Sequence, residues 1–148
     1  MRKLMILALT CSACLSAQAA QWAQYNPRAY MLVPAEDEKM MLLATLKGDA
    51  IAINLLDASG SVCEESETSD LTPAGPYKVN GTNVKFIQAC LNGSRVLAPE
   101  SSKGKAFFSN AITSGPATIE LDRGVVLHFE SEDFESVKKS MLETRSAL

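Results

Sequence analysis

Asn80-Gly81 and Asn92-Gly93, each set between short stretches rich in apolar, β-branched and aromatic residues, constrain this chain more than any other feature of it. Asn and Gly accept the two positive φ values of a type I′ turn, whose twist matches that of paired strands. Tyr77 to Val79, Val84 to Leu91 and the residues beyond Gly93 therefore read as a three-strand meander with two tight hairpins. Lys47-Gly48-Asp49 is a natural hairpin loop between Met40 to Leu46 and Ala50 to Leu56, and Tyr30 to Val33 is a further apolar stretch ahead of Pro34. Met40 to Leu46 also fits a helix opened by Pro34 and the acids after it and stopped by Gly48; the strand is the preferred reading.

The last hairpin is fixed by its apolar residues. A two-residue loop at Arg123-Gly124 would set Glu120 opposite Leu127, whereas a three-residue loop, Asp122-Arg123-Gly124, sets Leu121 opposite Val125 and Ile119 opposite Leu127. The second register places Ala117, Ile119, Leu121, Val125, Leu127 and Phe129 on the core face. Thr118, Glu120, Val126 and His128 then share the other face, with His128 at the surface.

Two helices complete the reading. Lys103 to Ser114 carries Phe107, Phe108, Ala111 and Ile112 at helical spacing and stops at Gly115-Pro116. A C-terminal amphipathic helix opens with Ser131 as N-cap and Glu132 and Asp133 in its first turn, buries Phe134, Val137 and Met141, and carries Lys138, Lys139 and Arg145 towards its other end. The expected fold is mainly β: a β-sandwich or partly open barrel of short antiparallel strands with a short helix and a C-terminal helix.

The amino end predicts export. Met1-Arg2-Lys3, the apolar stretch from Leu4 to Leu9 and Ala17-Gln18-Ala19 have the layout of a secretory signal peptide cleaved after Ala19. Residues 1–19 are thus a targeting segment, and 20–148 form a single domain without repeats or low-complexity linkers. Cys11-Ser12-Ala13-Cys14 falls inside the targeting segment, so its C-x-x-C spacing has no redox meaning. Lipid attachment at Cys14 is a minor alternative, because Cys11 stands where bacterial lipoproteins usually carry Leu.

Cleavage leaves two cysteines in an oxidising compartment, and Cys63 with Cys90 has no competing pairing, which predicts one structural disulfide. A redox-active pair is disfavoured by Glu64 and Glu65, whose charges oppose a thiolate at Cys63. Losing Arg2 and Lys3 takes the basic residues from 14 to 12 against 17 acidic ones, a net charge of −5. An acidic chain without a basic stripe is a poor nucleic-acid ligand, and no apolar run after Ala20 is long enough to cross a membrane.

Chemistry-bearing motifs are few. His128 is the only histidine, and G-x-S-x-G, H-E-x-x-H and a Gly-rich phosphate loop are absent. A zinc site would need His128 with Glu120, Glu130 or Glu132, so no metal or other cofactor is expected. Glu64, Glu65, Glu67 and Asp70 cluster around Cys63 in the polar stretch from Ser59 to Gly75. Their spacing lacks an EF-hand pattern and suits a solvated loop pinned by Cys63.

The Trp22 start, the apolar strands ahead of a Gly-containing loop, Tyr77-Lys78-Val79-Asn80-Gly81, Val84-Lys85-Phe86 approaching Cys90, and the Val125 to Phe129 strand followed by Phe134 and a terminal helix resemble the invasion-associated locus B family of bacterial exported proteins. The pattern covers most of the mature chain. Where that family often has a second Cys, this sequence runs Asn92-Gly93-Ser94-Arg95-Val96-Leu97-Ala98. The resemblance implies a β-rich envelope or secreted protein, linked in some members to host-cell invasion, with no established catalytic site. The leading expectation is a non-enzymatic periplasmic or surface-associated domain that binds a protein or cell-envelope component, on an exposed strand edge by β-augmentation. The alternative is an inhibitor or immunity-type protein that blocks an envelope hydrolase with the loop from Glu64 to Asp70. A small hydrolase using His128 comes third. The sequence leaves the partner and the oligomeric state open.

Overall fold

In the computed structural model, which describes residues 21–146, nine strands form one antiparallel sheet in the order β1-β2-β3-β4-β7-β6-β5-β8-β9. The strands are β1 (Ala23–Asn26), β2 (Ala29–Leu32), β3 (Met40–Lys47), β4 (Ala50–Asp57), β5 (Thr72–Val79), β6 (Thr82–Leu91), β7 (Ser94–Pro99), β8 (Ala117–Glu120) and β9 (Val126–Phe129). Helix α1 (Ser102–Thr113) joins β7 to β8, and α2 (Phe134–Ser146) ends the described chain. The stretch 1–19 read as a targeting segment, with Cys11 and Cys14, and the side chain of Arg145 lie outside the described residues.

Alternation within the strands explains the sheet. In β3, Met40, Leu42, Ala44 and Leu46 are buried, while Met41, Leu43 and Thr45 point to the other face and are half-buried. Leu55, Leu97 and Phe86 continue the inner layer across β4, β7 and β6. Phe108 and Ile112 of α1 and Phe134, Val137 and Met141 of α2 join the same core, so both helices bury their apolar stripes on the inner face. The sheet remains open, but its ends approach across that core. The indole of Trp22, just before β1, donates to Ser131 Oγ beyond β9 at 2.8 Å and packs against Phe134 at a tilt of 58° with ring centroids 5.2 Å apart.

The meander of β5, β6 and β7 forms through the two Asn-Gly turns, with Asn80, Gly81, Asn92 and Gly93 all at positive φ. Because β4 pairs with β7, the chain from β4 to β5 must cross the ends of β7 and β6, a Greek-key connection. The last hairpin has the expected register, with Ile119 opposite Leu127 and Asp122–Gly124 as a 3-10 turn.

Four details differ from the sequence reading. β1 is polar and fully exposed, which leaves no apolar signal in the sequence. β5 starts at Thr72, inside the stretch read as loop; Pro73, Gly75 and Pro76 disguise it, and a bulge between Ala74 and Tyr77 absorbs them. A Cβ at Gly75 would lie 2.7 Å from the Tyr77 nitrogen, so only glycine fits this bulge. Ser131 is not the cap of α2, which begins at Phe134; its hydroxyl is taken by Trp22, and Glu132 and Asp133 precede the helix. Val125 is 41% exposed, because its position on the core face falls at the mouth of a cavity open to solvent.

Candidate functional site

The disulfide forms as expected, with Cys63 and Cys90 Cα atoms 5.8 Å apart. It ties the crossing connection to the end of β6, and backbone bonds complete the attachment. Ser69 N–H donates to the Cys90 carbonyl at 3.0 Å, and Cys90 N–H returns to Ser69 Oγ at 2.9 Å. Gly93 N–H donates to the Glu67 carbonyl at 2.9 Å. A Cβ on Gly93 would lie 3.0 Å from the Ser66 nitrogen and 3.1 Å from the Glu64 oxygen, so the absent side chain is what lets the hairpin seat against the acidic segment.

The four acids named from the sequence do different work. Glu67 is half-buried; its carboxylate accepts Glu64 N–H at 2.8 Å, and its own N–H donates to the Glu64 carbonyl at 3.0 Å. Glu64, Glu65 and Asp70 are exposed. Around them stand Val62, Leu71 and Leu91, which are 50%, 67% and 55% exposed. Charged and bare apolar side chains therefore share one rigidly held segment. Cys63, Glu67 and Cys90 lie close enough to suggest a metal cluster, but the sulfurs are bonded to each other and supply no thiolate.

Beside this loop the core end of the curled sheet opens into a cavity of about 300 Å³, lined by Asp57, Arg95, Asp122, Arg123, Val62 and Val125, among others. Asp57, 4% exposed, accepts Arg95 Nη2 at 3.0 Å and Ser59 N–H at 2.9 Å. Arg95 Nε is buried without a hydrogen-bond partner. Tyr77 donates its hydroxyl to Asp122 at 2.9 Å; burial, and then this carboxylate, push the phenol pKa above 10.0, so it remains a donor. The sequence reading missed this group. The signal was strand parity: Asp57 follows Ile53 and Leu55 in phase, and Arg95 precedes Leu97 in phase, so both charges had to face inward.

His128 is far from the disulfide loop in the sheet order, on the outer strand β9. Its side chain is exposed, as expected, and its Nδ1 meets Glu36, from the segment between β2 and β3. The same carboxylate accepts the His128 backbone N–H at 3.0 Å. Among the described residues no hydroxyl or thiol is hydrogen-bonded to the His128 ring, so the acid–histidine pair is not extended to a nucleophile.

The His128 N–H, followed by its ring, holds the Glu36 carboxyl below its ordinary 4.5. A lowered carboxyl pKa contributes stability above the unfolded value that is lost as pH falls through the folded value. The melting-temperature advantage of the wild type over Glu36→Gln is therefore expected to hold at neutral pH and to shrink progressively as pH falls below the ordinary carboxyl value and through the lowered one. A gap that is flat down to pH 3 would sink this assignment.

An intramolecular disulfide fits a compartment outside the cytoplasm. Among the described residues, no helix is long and apolar enough to cross a membrane. Comparisons with family models, curated proteins and solved structures find no match for this chain.

Proposed function

We propose that this chain is a non-enzymatic exported domain of the cell envelope that binds a protein partner through the disulfide-pinned segment from Val62 to Leu71 and the adjoining Leu91. One observation carries the reading: three bare apolar side chains, Val62, Leu71 and Leu91, flank three exposed acids on a loop fixed by a disulfide and paired backbone bonds. Apolar anchors supply most of the affinity of protein interfaces, and charges around them select the partner and speed encounter. A loop that is already rigid loses little entropy on docking. The chemistry fits a partner with an apolar pocket edged by Lys or Arg. The resemblance to the invasion-associated locus B family, which implies an envelope or secreted protein without a catalytic site and linked in some members to host-cell invasion, is consistent with this reading.

The same rigidity supports the second reading, an inhibitor or immunity-type protein that inserts this loop into the basic cleft of an envelope hydrolase. Both readings are tested by crosslinking the exported protein in its own envelope and identifying what it captures. A triple variant, Glu64→Lys, Glu65→Lys and Asp70→Lys, is expected to lose the captured protein, and Leu91→Asp to reduce capture at least about tenfold. Glu67 is left intact because it holds the loop. Full capture by both variants would overturn the assignment of the loop, and a captured hydrolase would decide for the inhibitor.

A further inference from the structure

The outer face of the sheet has a composition unlike the rest of the surface. Register places Met41, Leu56, Val96 and Ala89 on one outward rung. Met31, Leu43 and Asn54 continue across β2, β3 and β4 on the next, and Ile87 stands between Ala98 and Pro73 on the far side of β7. None of these side chains is charged, although 21% of the chain is. Both helices bury their apolar stripes on the opposite face, and these outward side chains, apart from the exposed Pro73, are half-buried against one another. Strands that face water on one side normally alternate apolar with polar residues; β3, β4, β7 and β6 carry apolar residues on both sides over the part nearest the acidic loop.

We propose that this face is a homodimer interface, on which a second copy of the chain stacks its own outer sheet face about a two-fold axis. Area is the first argument. Five strands, β3, β4, β7, β6 and β5, at about 4.8 Å spacing and about eight residues long cover roughly 600 Å² per copy, or about 1,200 Å² for the pair, where specific interfaces begin. Charge is the second. Two copies of an acidic protein repel one another wherever acids meet, and the outward positions of these five strands hold no acid; their charges are Lys47, Lys78 and Lys85, all towards the end away from the acidic loop. An axis perpendicular to the strands separates the two acidic loops to opposite ends of the dimer. Each loop then lies towards the end of the other copy where Lys47 and Lys85 point outward.

Sedimentation of the exported chain, purified with its disulfide intact, tests this directly. Over about 1 to about 100 μM the wild type is expected to pass from monomer to dimer, while Val96→Glu raises the dissociation constant at least about 100-fold. Two-fold symmetry places two buried carboxylates in each variant interface. Leu43→Gln adds no charge and is expected to weaken the dimer about tenfold, which covers the case in which Val96→Glu misfolds. Lys138→Glu on α2 serves as control and leaves the dimer unchanged. A wild type that stays monomeric, or a dimer that survives both face variants, overturns the proposal. A monomer whose Val96→Glu form loses a protein captured in the envelope assigns the face to that protein instead. Leu91 is in phase with Ala89 at the margin of this face, but Glu64, Glu65 and Asp70 are not on it, so the triple charge variant separates failure here from failure of the loop reading.

Discussion

Asp57→Ala is expected to destabilise the protein by about 3 kcal/mol, because it leaves the Arg95 guanidinium largely buried at the cavity wall without its counter-charge. For a domain of this size that corresponds to a fall of roughly 10 °C in melting temperature. The loss is not a measure of what the pair contributes. Two charges taken from water offset most of their mutual attraction, so replacing both with apolar groups costs far less than removing one. Asp57→Ala combined with Arg95→Met is accordingly expected to recover most of the stability, as read by thermal unfolding of the two single variants and the double. If the double variant is as unstable as the sum of the singles, the two residues act independently and the account fails. The arginine Nε without a partner sharpens the expectation, since the wild-type pair is itself incompletely satisfied.

Removing the disulfide with Cys63→Ala and Cys90→Ala together is the second large effect. The closed loop of 28 residues gives an entropic stabilisation of roughly 3.5 kcal/mol, an upper figure for the loss. The strands keep their own pairing without the bond, so the variant should still fold at low temperature and unfold cooperatively at a lower one. Its acidic segment, held only by hydrogen bonds to Cys90, Asn92 and Gly93, should show faster amide exchange at Ser69 and Gly93 than the body of the sheet. Hydrogen-exchange mass spectrometry checks this. Unchanged protection at those amides would mean that the hydrogen bonds alone hold the loop.

Much of this architecture was legible in the residues, and the limits have physical causes. The Asn-Gly turns fixed the meander, because few sequences tolerate consecutive positive φ values and those that do announce the turn. The register of the last hairpin followed from Ile119 and Leu127, since a slip by one residue exposes every apolar side chain. Elements without a hydrophobic payload were invisible: β1 forms because it borrows β2 as a partner, not because Ala23 or Asn26 favours a strand. The β4–β7 pairing that closes the Greek key is non-local and leaves no pattern in either strand. Of the site, Cys63, Cys90 and the acids were named, but not Leu71 and Leu91, whose exposure is set by the crossing of the chain over the β6–β7 turn. Asp57 and Arg95 were readable from parity alone, as charges in phase with inward leucines.

The contact between Glu36 and β9 bears on how such a sheet stays finite. An open sheet of nine strands ends in bare edges, and a bare edge is a template on which copies add without limit, as fibres do. At His128 the amide that a newcomer would need is already occupied by a carboxylate, so growth from that side has to expel a charge before it gains a bond. The opposite edge, β1, offers only four residues. Acid strong enough to neutralise Glu36 removes the stopper, and edge-to-edge polymerisation then competes with the closed assembly.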